Sequence, residues 1–221
     1  MAGGKLLVLG ATSPTGQLVV KRALELEWQV TVYGRRTLPE HAANTQIKTI
    51  EGALDNKSGL HTAISGQDVI ISVFGPSKPG APTDVFVPAY QLILSTMKSA
   101  GVKRIIALST YSVYDTRDKP NFLRWFLVTA LWAMAHNVWK TIIGISKVFD
   151  EEGNDIDWTL FRVGFLANGP PMKAVDGYVG DGTVGMYLRR ADIAEWTLSQ
   201  AEKSPPQWVR QKPGISSIKH S

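Results

Sequence analysis

The stretch from Lys5 to Gly16 constrains the fold of this chain more than any other. Residues 6–9 form a short apolar run, which is typical of a buried strand. A turn from Gly10 to Gly16 follows directly, and apolar residues then recur at helical spacing as far as Leu26. A glycine-bearing turn between a buried strand and a helix is how a dinucleotide-binding unit begins, because the free N–H groups of the helix N-terminus bind a pyrophosphate.

The two glycines have separate roles in this prediction. Gly10 allows the tight turn, and Gly16 lets the helix pack close to the strand. Ser13 stands where the usual pattern has its middle glycine, so the turn departs from that pattern at one position. We expect the following residues of the turn to bind the cofactor: Gly10, Thr12, Ser13, Pro14, Thr15 and Gly16.

Strand-like and helix-like segments alternate along the rest of the chain. The predicted strands cover 29–33, 47–50, 68–74, 103–108 and 158–161, and the predicted helices cover 85–100, about 120–135, 138–152 and 191–203. Such alternation predicts an α/β fold of the Rossmann type, a doubly wound parallel sheet with helices on both faces. We expect one domain over 1–221, with a core over about 1–162 and a small C-terminal cap on the substrate side over about 163–221.

Composition excludes several classes of protein. The chain has 221 residues, 44% hydrophobic, which suffices for one large core. It has no cysteine, and its four histidines are widely separated, so we expect neither a disulfide framework nor a metal site. The net charge of +5 favours anionic ligands, but no run of Lys or Arg exceeds two residues, so we expect no nucleic-acid partner.

The most apolar stretch is 122–135, which contains Arg124. It is shorter than the about twenty residues that cross a bilayer, so we expect no membrane span. An interfacial helix and a buried or dimer-forming helix both remain open, and we expect a monomer or a homodimer. No secretory signal is visible, so we expect a cytoplasmic protein. Five aromatic residues at helical spacing could pack in the core, form a dimer interface or line a site for an aromatic substrate: Phe122, Trp125, Phe126, Trp132 and Trp139.

The end of the second strand indicates which dinucleotide is bound. An NAD-binding protein normally has an acidic residue there, which holds the ribose 2′-hydroxyl. This chain has Arg35 and Arg36 instead. Because guanidinium groups pair well with a 2′-phosphate, we predict NADP(H) as the cofactor. The alternative is a solvated basic turn.

Further candidates lie where other strands end, at the edge of the sheet where ligands of such folds bind. Asp55 could accept a hydrogen bond from the adenine amino group or could cap a helix. Gly75 would let the backbone approach the cofactor. Ser109 and Val163 are predicted near the nicotinamide. Arg162 or the pair Arg189 and Arg190 could meet an acidic substrate.

These residues together carry a family resemblance over nearly the whole chain. The chain resembles atypical short-chain dehydrogenases/reductases of the NmrA-like or biliverdin reductase B-like kind, and is similar to small fungal NAD(P)-binding proteins. The signals are the turn at 10–16, Arg35, Gly75 and the segments 108–114, 157–163, 177–182 and 190–194. The resemblance implies a doubly wound fold with NADP in its cleft. It also implies reduction of a carbonyl, quinone or flavin-like substrate, although some members only sense the cofactor.

The catalytic signature of the larger superfamily is only partly present. It consists of a Ser or Thr after the fifth strand and a Tyr and Lys four residues apart on one helix face, where the ammonium lowers the pKa of the phenol that donates the proton. Thr110 matches the hydroxyl position and Lys147 could be the lysine. Ile143, however, stands four residues before Lys147, and in the other register Trp139 and Ile143 hold the two places. The standard proton donor is therefore missing.

Several groups could replace that donor. Tyr111 and Tyr114 follow the fifth strand, and either phenol could donate a proton or serve as a packing residue. His136 could act as the acid, because histidine is a common general acid near neutral pH, or could simply be exposed. Lys147 could hold the ribose hydroxyls without a tyrosine, or could be a surface lysine. Solvent could also supply the proton, which suits a flavin or quinone acceptor.

From these patterns we predict an NADPH-dependent reductase of an aromatic or polyketide-like carbonyl, quinone or flavin substrate, as in fungal secondary metabolism. Two alternatives keep the fold. One is a non-redox tailoring enzyme that isomerises, cyclises or dehydrates its substrate. The other is a non-enzymatic NADP(H) sensor.

Overall fold

Ten strands and seven helices are formed in the computed structural model, which describes residues 3–76 and 83–218. The strands are β1 (Lys5–Leu9), β2 (Gln29–Gly34), β3 (Ile47–Glu51), β4 (Val69–Ser72), β5 (Arg104–Thr110), β6 (Asp157–Val163), β7 (Phe165–Ala167), β8 (Ala174–Gly177), β9 (Tyr187–Arg189) and β10 (Gly214–Ser217). The helices are α1 (Pro14–Glu25), α2 (Pro39–Ala43), α3 (Lys57–Ile64), α4 (Phe86–Ala100), α5 (Phe122–Met134), α6 (His136–Glu152) and α7 (Arg190–Glu202).

Eight of these strands form one sheet in the order β3-β2-β1-β4-β5-β6-β10-β8. The first six strands are parallel, β10 adds in parallel to β6, and β8 closes the edge antiparallel. The chain order reverses between β1 and β4, and the crevice beyond the carboxyl ends of the strands at such a switch point is where ligands bind. The predicted Rossmann-type fold is confirmed.

Alternation along the strands divides the core between the two faces of the sheet. On β1, Leu6 and Val8 face one side and pack in the cluster that α1 and α7 complete. Leu7 and Leu9 face the other side and pack with residues of α3, α4 and α6. Because all four side chains are fully buried, β1 is covered on both faces, as a central parallel strand requires.

The structure adds two helices that the sequence patterns do not indicate. Helices α2 and α3 are too short to show a clear apolar periodicity. Strands β8 and β10 come from the predicted cap, yet they join the main sheet, whereas β7 and β9 form a separate two-stranded sheet. The boundary near residue 162 therefore does not separate two sheets, and the division into core and cap stays a prediction.

Candidate functional site

The turn after β1 needs both of its glycines. Gly10 has a φ of +85°, and a Cβ there would lie 2.9 Å from the backbone nitrogen of Phe74. A Cβ on Gly16 would lie 2.2 Å from the carbonyl oxygen of Gly10. Side chains at either position would therefore push the turn away from the strand, and the close approach of α1 to β1 would be lost.

Ser13 explains why the middle glycine of the usual pattern can be absent. Its Oγ accepts a hydrogen bond of 3.0 Å from the backbone N–H of Gly16, which makes Ser13 the N-cap of α1. Its own N–H donates to the Gly10 carbonyl at 3.0 Å and closes the turn. Within the described residues, the N–H groups of Thr12 and Thr15 make no hydrogen bond, and the first turn of α1 has no acidic residue. These two donors at a helix N-terminus fit a pyrophosphate.

Beyond β2, Arg35 and Arg36 are exposed. Neither guanidinium forms an ion pair or hydrogen bond with any residue in the described ranges. Their neighbour Tyr33 is buried, and its hydroxyl donates to the Ala53 carbonyl at 2.7 Å. Burial raises the pKa of Tyr33, and the Asp55 carboxylate adds to that effect, so the phenol stays a neutral donor.

Tyr33 also shapes the loop after β3, a role that the sequence patterns do not reveal. A Cβ on Gly52 would lie 2.3 Å from the Tyr33 hydroxyl, so only glycine fits beneath the ring. Asp55 lies in this loop and is exposed. The helix-cap alternative for Asp55 is wrong, because Asn56 caps α3 by accepting from the Gly59 N–H at 2.9 Å. The role of Asp55 toward adenine stays a prediction.

The ends of β4, β5 and β6 lie side by side at the same edge of the sheet. Gly75 follows β4, and a Cβ built on it meets no atom of residues 3–76 or 83–218 within 4 Å, so no described side chain blocks a ligand there. Thr110 pairs in register with Val163 on β6. The Thr110 Oγ1 accepts from the Ser112 N–H at 3.2 Å, and Ser109 is buried beside it. The geometry therefore gathers the residues predicted near the nicotinamide, while their contacts with cofactor stay predictions.

Tyr111 does not have the geometry of a proton donor. Its ring is buried, and its hydroxyl lies 2.9 Å from the Gly185 carbonyl and 3.2 Å from that of Ile215. Burial raises the pKa of Tyr111 far above its ordinary value. Tyr111 is therefore a packing residue, and its hydroxyl joins the end of β5 to two segments of the predicted cap.

The remaining catalytic candidates lie on α6 and are exposed. His136 begins the helix, so the exposed alternative holds for it, and its ring stands between those of Trp132 and Trp139 at centroid distances of 5.8 and 5.6 Å. Lys147 makes no hydrogen bond or ion pair with any described residue. Ile143 packs against the small apolar cluster at the start of α6, and neither it nor Trp139, which the other register offers, carries a phenol that could donate a proton.

Helix α5 contradicts the core-packing alternative for the four aromatic residues that it carries, whereas Trp139, the fifth, lies on α6 and is half-buried. None of the α5 residues, all within the described part of the chain, is buried. A groove of about 570 Å³ runs beside its first half and is lined by Pro120, Asn121, Phe122, Arg124, Trp125, Val128 and Thr129. The aromatic side chains of α5 are thus on the surface.

Arg162 does not meet a substrate either, because it forms a fully buried ion pair with Asp118. Its Nη1 and Nη2 donate to the two carboxylate oxygens at 2.5 and 2.8 Å, and Asp118 also accepts from the Val179 N–H at 3.1 Å. The pair ties β6 to the loop after β5 and to the segment after β8. No local sequence pattern indicates this ion pair, because its partners are 44 residues apart. Arg189 and Arg190 likewise donate to groups of the predicted cap, at Pro170 and Asn168.

The described ranges, 3–76 and 83–218, contain neither a metal-binding cluster nor a membrane-spanning helix. No cluster of three or more His, Asp or Glu side chains there could hold a metal ion. None of the helices there is both long and apolar enough to cross a membrane.

Comparison with known proteins agrees with this site. Residues 10–204 match the NAD(P)H-binding family, and the chain belongs to it. Its cofactor is therefore a nicotinamide dinucleotide, as predicted. Over 98% of its length the chain is 25% identical to an isoflavone reductase homolog of Zea mays, covering 71% of that protein.

Solved structures share the fold. A short-chain dehydrogenase/reductase of Veillonella parvula, solved in complex with NADP, matches with a TM-score of 0.78 at 17% identity, over 98% of this chain and 95% of that one. ChuY, an anaerobilin reductase of Escherichia coli, matches with a TM-score of 0.75 at 18% identity, over 98% of both chains. The predicted resemblance to atypical short-chain dehydrogenases/reductases is confirmed, and the enzyme class indicated is an oxidoreductase.

Proposed function

We propose that the protein is an NADPH-dependent reductase of an aromatic or polyketide-like substrate that carries a quinone, flavin or conjugated carbonyl group. Bound NADPH would supply a hydride. The chain's own contribution is the turn at 10–16, whose free N–H groups suit the pyrophosphate, and the open edge of the sheet at Gly75, Thr110 and Val163.

The choice of the phosphorylated cofactor rests on Arg35 and Arg36. Both are exposed at the end of β2, and no described carboxylate pairs with either of them. Guanidinium groups that are not already engaged can bind a 2′-phosphate through charge-assisted hydrogen bonds. This supports NADPH over NADH.

One observation carries the choice of acceptor. The two registers of the usual Tyr and Lys pair place Ile143 or Trp139 at the phenol position, and the Tyr111 hydroxyl is bonded to backbone carbonyls. An isolated ketone needs a positioned acid to protonate the alkoxide that develops on reduction. A quinone or flavin delocalises the charge it gains, so solvent suffices as proton source. The site therefore favours quinones and flavins over isolated ketones as hydride acceptors.

The relatives support a reductase without fixing its substrate. One is named as a homolog of isoflavone reductase and another as an anaerobilin reductase. A place in fungal secondary metabolism would agree with the aromatic substrate class proposed here.

The test has two stages. NADPH and NADP are first titrated against the protein by fluorescence, and NADPH oxidation is then followed with quinones, flavins and aromatic ketones. We expect turnover with quinones or flavins and little with simple ketones. Tight binding without turnover on the whole panel would instead indicate a sensor, and conversion of a substrate without nicotinamide would indicate a non-redox enzyme.

Tyr114 provides an internal control. It is exposed and follows β5, and the guanidinium carbon of Arg124 lies 5.3 Å from its ring centre. If solvent supplies the proton, Tyr114→Phe should leave the rate of NADPH oxidation within about threefold of wild type. A loss of about a hundredfold, the lower range for a general acid, would make Tyr114 the donor.

A further inference from the structure

Helix α5 has the reverse of the usual polarity of a surface helix. Such helices normally turn apolar residues inward and charged residues outward. The only charged residue of α5, Arg124, turns inward: its Nε donates to the Tyr111 carbonyl at 2.9 Å, and its Nη2 lies 3.9 Å from a carboxylate oxygen of Asp118. The outward side of the helix carries the large apolar residues Phe122, Leu123, Trp125, Phe126, Trp132 and Met134.

This apolar face is large. Four of its aromatic side chains are between 52% and 79% exposed, which amounts to roughly 500 Å² for rings of this size. Leu123 and Met134 extend it further, so it exceeds most of the apolar patches found on soluble monomers, which reach about 300–600 Å². A face of this size and composition indicates an interaction surface.

The segments that flank this helix in the sequence carry basic residues and no acidic ones. No acidic residue occurs between Asp118 and Asp150. Lys119 precedes α5, Lys140 lies near the start of the helix that follows it, and both are exposed. Lysines beside an apolar face rich in Trp and Phe are typical of helices that lie in the surface of an anionic membrane.

We propose that α5 binds the protein to an anionic lipid surface, with the helix lying in the plane of the headgroups. Its 13 residues span about 20 Å, which is too short to cross a bilayer but sufficient for an in-plane helix. A second copy of the chain fits the face less well. Pairing two such faces would bring lysines of like charge together, which opposes association.

Co-sedimentation of the full chain with vesicles tests the proposal. Binding to vesicles of phosphatidylcholine that contain about 20 mol% phosphatidylserine is compared with binding to vesicles of phosphatidylcholine alone. We expect at least tenfold stronger partitioning onto the anionic vesicles and a weaker preference at high salt. Tryptophan emission should shift to the blue on binding, because Trp125 and Trp132 enter a less polar environment.

A pair of double variants isolates the helix. Trp125→Ala with Phe126→Ala should lower the partition coefficient at least tenfold while leaving the melting temperature and NADPH affinity unchanged, because neither side chain is buried. The matched control, Val85→Ala with Ile218→Ala, removes two exposed apolar side chains from other segments and should partition as wild type does.

Three outcomes would overturn the proposal. Wild-type protein could fail to bind anionic vesicles at low salt. The α5 variant could bind them as well as the control does. Light scattering after size exclusion could show a wild-type dimer that does not bind vesicles and that the α5 variant converts to a monomer, in which case a second copy occupies the face.

Discussion

The buried ion pair between Asp118 and Arg162 gives the sharpest prediction about stability. Both side chains are 0% exposed, and the carboxylate accepts from two guanidinium nitrogens and from the N–H groups of Asp115 and Val179. Asp118→Asn keeps the shape but leaves the guanidinium charge without its partner. We expect the free energy of unfolding to fall by about 3–5 kcal/mol, the usual cost of breaking a buried pair.

A second ion pair serves as the matched control. Lys212 and Asp150 are joined at 2.6 Å, nearly the same distance, but the Asp150 side chain is 45% exposed. Asp150→Asn should therefore cost less than about 1 kcal/mol, because solvent reaches the Asp150 carboxylate and screens the pair. Urea unfolding followed by circular dichroism measures both variants under the same conditions.

A double-mutant cycle isolates the interaction free energy of the ion pair from the other contacts of its two side chains. Arg162 also donates to the carbonyls of Val113 and Lys212, so Arg162→Met leaves those acceptors unpartnered as well. Combined with Asp118→Asn, it should cost less than the sum of the single changes, by about 1–3 kcal/mol. If Asp118→Asn and Asp150→Asn cost the same, or the cycle is additive, burial does not govern this pair and the reasoning fails.

Four further predictions concern the site. Gly16→Ala should abolish NADPH binding because its Cβ would lie 2.2 Å from a carbonyl oxygen. Gly75→Ala, whose Cβ meets no described atom within 4 Å, should weaken binding without lowering the melting temperature, and unchanged affinity in this variant would remove Gly75 from the site. Arg35→Ala should weaken NADPH by about tenfold to a hundredfold and NADH far less, as measured by fluorescence titration, and equal losses would refute the 2′-phosphate role. Tyr111→Phe should keep the rate of NADPH oxidation but lower the free energy of unfolding by about 1–3 kcal/mol, because two carbonyls lose their donor, and a lost rate would restore Tyr111 as the acid. Burial alone would raise the pKa of Asp181, but N–H donors including those of Tyr178 and Thr183 bring it below 3.8. The stability that these hydrogen bonds contribute is present above that pH and is lost as the pH falls through the folded-state pKa. Asp181→Asn should therefore flatten the loss of stability measured in acid.

The cofactor half of the site could be predicted because its determinants are local. Gly10, Ser13 and Gly16 lie within seven residues, and their roles follow from turn geometry and helix capping alone. Arg35 is identified by its place after a strand whose length and alternation are themselves visible in the sequence. The strands and long helices were predictable for the same reason, since each shows its period within one window.

The substrate half could not be predicted because its determinants are distant in sequence. Whether the Tyr111 ring faces the cleft or the core depends on Gly185 and Ile215, which lie 74 and 104 residues further along the chain. Arg162 follows the predicted strand at 158–161 just as Arg35 follows the one at 29–33, and sequence assigns a ligand to both, although Arg162 in fact lies inside β6. Only the structure shows that Asp118 already neutralises one of them and that no described carboxylate neutralises the other.

Contacts distant in sequence also decide whether helix α5 is a core helix or a surface helix. Its apolar composition alone is equally compatible with burial, dimerisation and membrane contact, because periodicity does not show what a helix packs against. Arg124 resolves part of this ambiguity once its partners are known: a guanidinium held by the Tyr111 carbonyl and near Asp118 fixes which side of the helix faces the protein. The aromatic side chains must then face outward. The buried charge network that holds the substrate side together thus also orients the surface that we propose binds the membrane, and Asp118→Asn should weaken vesicle binding along with stability.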